Sequence, residues 1–283
     1  MSNFPVVKYL SAITVAIAVN LGVVVSQPAL ASEAPSFRDP EARIDAPSLE
    51  GLSLQFLTTD DFPPFNYVTS SGELAGFHVD LARALCEALS IQCTVEVRPW
   101  ETLISAAESR EEAVLLAGIA ANAETRENLV FTSRYFSMPG RFATRQTEAA
   151  PSAPSLALDG KTVGVVEGSA HDQFLKAYWP NVPRLYFANV NGAQSALKAG
   201  VVDFIFGDAV ALSFWLNSEV SESCCRFIGG PFEDDIFFGE GLRIAVPRTR
   251  PDIAQALDFA LDRVQRDGSF REIYLRHFPI SIY

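Results

Sequence analysis

Phe62, Trp100 and Arg126, with Gly168, Ser169, His171 and Asp208 further along the chain, are residue types that could share one small molecule. Two aromatic faces can sandwich a side chain or cover a cation. A guanidinium grips a carboxylate through two parallel hydrogen bonds, and a carboxylate takes an ammonium group. A Gly-Ser loop that opens a helix presents free backbone N–H groups to an anionic oxygen. The set fits a zwitterion: carboxylate, ammonium and side chain. Each member also has a plainer reading. Arg126, in Glu124-Thr125-Arg126-Glu127-Asn128, reads as a solvated helix charge, and Asp208 after Gly207 as a helix N-cap. Phe62 and Trp100 read as core, and His171 as a first-turn surface residue. Only the conjunction points to binding.

Other chemistries lack their residues. The three histidines, His78, His171 and His277, lie far apart, and neither HExxH nor CxxC occurs, so no metal site is expected. There is no GxSxG elbow for a nucleophilic serine, and no cofactor is implied. Lys plus Arg total 22 against 34 Asp plus Glu, a net charge of −12, which repels a phosphate backbone and disfavours nucleic acid. With 48% hydrophobic residues in 283, the chain can bury a large core or two modest ones.

Strand and helix patterns alternate to position these residues. Leu52 to Leu57 alternates as a first strand, and Asp60 to Phe65, with Pro63 and Pro64, is a loop at its end. Phe77 to Leu89 has helical spacing, Cys93 to Val97 is a strand, and Glu101 to Ser109 a short helix. Ala113 to Ile119 is a continuous apolar strand, and Gly118 to Asn122 leads into a helical turn capped by Asn122 that carries Arg126. The pattern restarts with the strand Gly160 to Val166 and the loop Glu167-Gly168-Ser169. Helix Ala170 to Tyr178, strand Arg184 to Phe187 and helix Asn191 to Ala199 follow, then strand Val201 to Phe206 and helix Ala209 to Leu216. A further strand, Gly241 to Val246, and helices over Pro251 to Phe278 remain. Such alternation predicts parallel sheets covered by helices, and open sheets of this kind place ligands beyond the carboxyl ends of their strands. Two units facing each other make one cleft.

The N-terminus reads as an address. Lys8 precedes an apolar run from Leu10 to Val25, followed by Ala29-Leu30-Ala31, the pattern of a secretory signal peptide cleaved near Ala31. Residues 32 to 50 read as a flexible leader. Export to an oxidising compartment favours a bridge between Cys86, near a helix end, and Cys93, in the following strand, over two buried thiols. Cys224-Cys225 is left open between a vicinal bridge and two free thiols, because adjacent Cα atoms lie only ~3.8 Å apart.

From Leu52 to Tyr283 the chain resembles the periplasmic solute-binding proteins for polar amino acids that serve ABC importers (bacterial extracellular solute-binding proteins, family 3). The resemblance is carried by Asp61-Phe62-Pro63-Pro64-Phe65, by Gly72 to Ala82 (GELAGFHVDLA), by Trp100 to Ile104 (WETLI) and by Thr125-Arg126. Phe131 to Phe136 (FTSRYF), Gly160 to Val165 (GKTVGV), Gly229-Gly230-Pro231 and Asp267-Gly268-Ser269-Phe270 complete it. It implies an α/β, two-lobed periplasmic-binding-protein-like fold (type II) with a two-strand hinge. Lobe 1 would be discontinuous, residues 51–140 plus 239–283, and lobe 2 would span 141–238. It implies that Arg126 holds a ligand carboxylate and Asp208 its ammonium, with Phe62 and Trp100 stacking on the ligand and Gly168, Ser169 and His171 contributing from lobe 2. Cys86 and Cys93 fall where the lysine/arginine/ornithine- and histidine-binding members carry a disulfide.

The resemblance further implies a monomeric periplasmic protein that binds an amino-acid-like solute and docks transiently on an inner-membrane ABC permease. A dehydratase for arogenate or prephenate on the same fold, with Glu167 as general acid, is the enzymatic alternative, and a non-transport partner of another periplasmic protein is a third reading. One departure stands out: Gly118-Ile119-Ala120-Ala121-Asn122 has no hydroxyl where the family usually has one. Either Asn122 replaces it or the ligand is not a plain α-amino acid. A basic ligand side chain would want extra acid, for which Asp60, Asp61 and Glu167 are available.

Overall fold

The computed structural model describes residues 52–147, 158 and 160–283. The signal-peptide and leader readings lie outside them. The chain first forms β1 (Ser53–Thr58), β2 (Asp61–Phe62), β3 (Asn66–Val68), β4 (Leu74–Ala75), α1 (Phe77–Leu89), β5 (Gln92–Val97) and α2 (Leu103–Glu108). It continues through β6 (Ala113–Leu115), α3 (Thr125–Asn128), β7 (Leu129–Phe131), β8 (Gly140–Arg145), β9 (Val163–Val166), α4 (Ala170–Tyr178), β10 (Arg184–Phe187) and α5 (Val190–Lys198). Last come β11 (Phe204–Asp208), α6 (Ala209–Leu216), β12 (Cys225–Phe232), α7 (Asp235–Phe238), β13 (Ala245–Pro247), α8 (Pro251–Arg266) and α9 (Ser269–His277).

Two five-stranded sheets organise two α/β lobes, in the orders β5-β1-β6-β13-β7 and β10-β9-β11-β8-β12. The first three strands of each sheet are parallel, as the alternation predicts. The fourth is not: β13 runs antiparallel to β6 and β7, and β8 antiparallel to β11 and β12. The reason lies in the path of the chain. β8 enters the second sheet directly from the first, and β13 returns to the first sheet after the second is complete, so each arrives from the opposite side. The two connecting segments hydrogen-bond to each other, Leu242 N–H to Phe136 O at 2.7 Å and Tyr135 N–H to Leu242 O at 3.0 Å, which makes the two-strand hinge.

Each sheet is buried on both faces, as parallel sheets with crossover helices must be. On β1, Leu54 and Phe56 join one cluster with residues of α1, α8 and α9, while Leu57 joins another with Leu103 and Ala107 around α2. In the second lobe, Leu197, Leu212 and Trp215 of α5 and α6 cover one face, and Phe174 and Leu175 of α4 cover the other. α6 (AVALSFWL) is apolar all round, the signature of a helix buried on more than one side. Leu212 and Trp215 belong to the second lobe's core, while Ala209 and Val210 pack into the main cluster of the first. This double burial pins the N-terminus of α6 at the junction of the lobes.

Both cysteine pairs are joined. Cys86 of α1 bridges Cys93 of β5 with Cα atoms 6.2 Å apart, and Cys224 bridges Cys225, settling the pair that composition left open. Closing the short loop between Cys86 and Cys93 contributes about 2–3 kcal/mol by chain entropy. The Cys86→Ser, Cys93→Ser variant is therefore expected to fold and to melt several degrees lower, which a thermal scan by circular dichroism checks.

Candidate functional site

Phe62 is set by a small sheet that sequence patterns do not reveal. β2, β3 and β4 pair antiparallel, with Phe62 opposite Asn66 and Val68 opposite Leu74. This sheet hangs on the start of α1: Phe77 N–H donates to Pro64 O at 3.0 Å and His78 N–H to Phe65 O at 2.8 Å. Gly76 makes the join possible. Its φ is +128° and a Cβ there would run into the Phe65 carbonyl, so only glycine fits.

Beneath the sheet lies a fully buried polar chain. Asn66 Nδ2 donates to Thr59 O (2.9 Å) and Thr59 Oγ1 (2.8 Å). With Asn66 Oδ1 thus the acceptor for His78 Nδ1 (2.7 Å), His78 Nε2 must accept from the Tyr135 hydroxyl (2.8 Å). Burial pushes the His78 pKa down to about 3, which matches this neutral tautomer. His78 therefore serves the scaffold under Phe62. The Phe62 ring stacks on Phe65 at 4.8 Å, and the close approach of Gly118 fits against it: a Cβ at Gly118 would sit 3.2 Å from the Phe62 ring.

Asp208 ends β11 and caps α6, accepting from Ala211 N–H at 2.8 Å. Its plainer reading is thus correct locally, yet a carboxylate has acceptor capacity beyond one cap. Burial pushes its pKa above the usual carboxylate value, against the lowering effect of the Ala211 and Val210 N–H groups.

Phe62 and Asp208 line the same cavity of about 570 Å³, one from each lobe. Pro63, Tyr67, Met138, Phe214, Arg276 and His277 also face it. Sequence reasoning missed Phe214 and Arg276. Phe214 lies six residues past Asp208 on the apolar helix α6, and that proximity was the available signal. A second cavity of about 310 Å³ is lined by Ser169, His171 and Asp208. The two cavities share Asp208 and Ala211.

Ser169 caps α4, accepting from Asp172 N–H at 3.2 Å and donating to Val166 O at 2.7 Å, so its hydroxyl is occupied. Gly168, with φ +70°, donates its N–H to Asp172 Oδ2 at 3.1 Å. His171 stacks on Phe238 at 5.0 Å, burial holds its pKa at about 4, and its Nε2 is buried without a hydrogen-bond partner. This neutral ring carries an unused polar atom at the wall of the smaller cavity.

The remaining predicted residues sit elsewhere. Trp100 is 52% exposed at the start of a short 3₁₀ turn. Asn122 Oδ1 accepts from Thr125 N–H at 2.9 Å, the cap expected from sequence, so that oxygen serves the helical turn. The Arg126 guanidinium pairs with Glu240 of the second hinge segment at 2.9 Å, donates to Ala121 O at 3.3 Å and lies 5.4 Å from the Phe131 ring centre. Trp100, Gly118, Asn122, Arg126 and Gly168 line neither cavity. Asp60, Asp61 and Glu167 do not line them either, and all three side chains are exposed.

Residues 54–280 match the model of the bacterial extracellular solute-binding proteins, family 3. The chain is 30% identical over 224 residues to the L-arginine-binding protein of Pseudomonas aeruginosa, covering 78% of this chain and 86% of that one. It is 25% identical over 229 residues to the histidine-binding periplasmic protein of Escherichia coli K12, covering 80% and 87%. Among solved structures, the L-cystine solute receptor of Neisseria gonorrhoeae superposes with a TM-score of 0.69 at 15% identity over 81% of this chain and 94% of that one. Substrate-binding domain 2 of Lactococcus lactis GlnP superposes with a TM-score of 0.67 at 16% identity over 83% and 99%. The chain belongs to family 3 of the bacterial extracellular solute-binding proteins. Its members are binding proteins, and the comparisons lend no support to a dehydratase on this scaffold.

Proposed function

We propose that the protein captures a small zwitterionic solute, an amino acid or a derivative, between its lobes and delivers it to an ABC-type permease in the inner membrane. The observation that carries this reading is the cavity shared by Phe62 and Asp208, an aromatic face from one lobe and a half-buried carboxylate from the other. A group that draws on both walls holds the lobes together, and a ligand shifts a hinge equilibrium only through contacts that differ between its states. The named relatives, an arginine binder and a periplasmic histidine binder, support an amino acid as the solute.

In this reading Asp208 takes the ammonium and Phe62 meets the side chain from the cavity wall, with Ser169 and His171 at the adjoining smaller cavity. Trp100 on the side chain, Arg126 on the carboxylate, and Gly118, Asn122 and Gly168 line neither cavity in this structure and reach the solute only when the lobes close. Lobe 1 comprises residues 51–140 and 239–283, lobe 2 residues 141–238, and the protein acts as a monomer in the periplasm after cleavage near Ala31.

The test is calorimetric titration of residues 32–283 with a panel of amino acids. One solute per chain is expected, with saturating ligand raising the melting temperature; at ~100 times the dissociation constant, binding adds ~2.7 kcal/mol. A panel that leaves both heat and melting temperature unchanged refutes the reading.

A further inference from the structure

Hinge closure works by changing φ and ψ in a few residues of the connecting segments. The first connecting segment runs from Phe136, which is bridged to Leu242 of the second, to Gly140 at the start of β8. Ser137 lies between them, and all three of its polar groups are held. Its N–H donates to the Tyr283 hydroxyl at 3.0 Å, and that hydroxyl donates back to Ser137 O. The N–H and C=O of one residue are separated by its φ and ψ alone, so a single group bonded to both fixes those two dihedrals. The third group is held from the second lobe: Ser137 Oγ donates to Glu233 Oε1, just past β12, at 2.6 Å.

Tyr283 reaches the hinge on residues 279–283, which follow α9 and touch both lobes. On the first lobe, Phe278 and Ile282 are buried in the main cluster, and Ile282 N–H donates to the Tyr274 hydroxyl of α9 at 3.2 Å. On the second, Ile280 packs against the cluster built by α5 and α6. Arg141 of β8, only 7% exposed, donates Nη1 to Ile282 O and Nη2 to Gly229 O of β12, both at 3.1 Å. A buried guanidinium gives up an acceptor only at a cost, because the lost partner leaves a charged donor out of water. β8 belongs to the second sheet and Ile282 to the first lobe's core, so this bond spans the boundary that closure moves.

We propose that residues 279–283 are a strap across the lobes, and that the Tyr283 hydroxyl locks the hinge at Ser137 and must release it for the lobes to close. The inference rests on the reading of the chain as a binding protein that closes on its solute. Trp100 and Arg126 line neither cavity here, so the arrangement that the strap holds is short of the closed one. Apparent affinity falls in proportion to the fraction of molecules competent to bind, so the strap tunes capture from outside the site.

The test uses residues 32–283 without solute. All four native cysteines are paired, so spin labels can be placed at Glu108→Cys of α2 and Ala177→Cys of α4, exposed positions on the two lobes. Double electron–electron resonance reads the distance between them. Tyr283→Phe keeps the ring and removes the hydroxyl. It should fold with an unchanged far-ultraviolet spectrum and raise a second distance population about three- to tenfold, the scale of one lost hydrogen bond. Hydrogen exchange should quicken by a similar factor at the Tyr135 and Leu242 amides, whose bonds join the two connecting segments. Arg141→Met, which keeps the apolar stem, should shift the distances in the same direction. Folded Tyr283→Phe protein with wild-type distances, and with faster exchange at Ser137 alone, overturns the lock. No solute enters either measurement, so a silent amino-acid panel would refute capture and leave this result standing.

Discussion

Asp208→Asn should abolish solute binding while leaving the protein at least as stable as before. Asparagine caps a helix as well as aspartate does, so the bond to Ala211 N–H survives in kind. What disappears is the charge. If Asp208 meets an ammonium in a cavity from which water is largely displaced, removing one partner costs about 2–5 kcal/mol, a loss of roughly one and a half to three and a half orders of magnitude in affinity. Stability moves the other way. Burial raises the folded-state pKa of Asp208 above its unfolded value, so at neutral pH the ionised carboxylate is a cost to the fold. That cost is relieved as pH falls through the raised pKa toward the unfolded one, and asparagine removes it at every pH.

The same shift fixes the acid limb of binding. The solute's ammonium needs the ionised carboxylate, so affinity should fall as pH drops through the raised pKa, and binding should release a proton from the fraction still protonated. Calorimetry in buffers of different ionisation heat reads that proton, and a melting series reads the stability. Undiminished binding by Asp208→Asn would reduce Asp208 to its cap.

The division of labour at Asp208 shows what could be read beforehand. Helices α4 and α6 have the bounds their periodicity predicts, because Ser169 and Asp208 stand as caps directly before apolar repeats. The two α/β units were legible for the same reason: strand and helix periods alternate twice. The antiparallel strands β8 and β12 of the second sheet were not, although the returning strand read over Gly241 to Val246 overlaps β13. β12 contains Gly229-Gly230-Pro231 and shifts register between Ile228 and Phe232, so neither alternation nor a continuous apolar run marks it. β2 to β4 exist only because Gly76 admits the Phe65 carbonyl, and a two-residue strand has no period to detect. The cavity is harder still. Phe62, Phe214 and Arg276 meet through packing of elements distant in the chain, and no local pattern encodes which face of α6 turns toward the other lobe. The pairing of Arg126 with Glu240, 114 residues away, is of the same kind.

That pair sets up the second large effect. Glu240 stands between Gly239 and Gly241, both at φ +78°, in the returning hinge segment, and its Oε2 lies 2.9 Å from Arg126 Nη2 and 3.6 Å from Arg243 Nε. Both Arg126 and Glu240 are nearly half exposed, so the ion pair itself is worth at most about 1 kcal/mol and its loss should barely move the melting temperature. A ligand carboxylate that takes the guanidinium bidentately must displace Glu240, which makes Glu240 an internal competitor. Arg126→Ala should therefore weaken carboxylate ligands by roughly two orders of magnitude, in line with ~2–5 kcal/mol for a desolvated charge pair. Glu240→Gln should act in the opposite direction, tightening the same ligands a few-fold, because the guanidinium no longer has to leave a charged partner. Opposite signs from two members of one ion pair cannot arise from a simple loss of hinge stability, which would shift both variants the same way. Equal affinities for wild type, Arg126→Ala and Glu240→Gln would confine Arg126 to a surface ion pair and leave the solute's carboxylate to be met by a group inside the cavity, of which Arg276 is the cation in place.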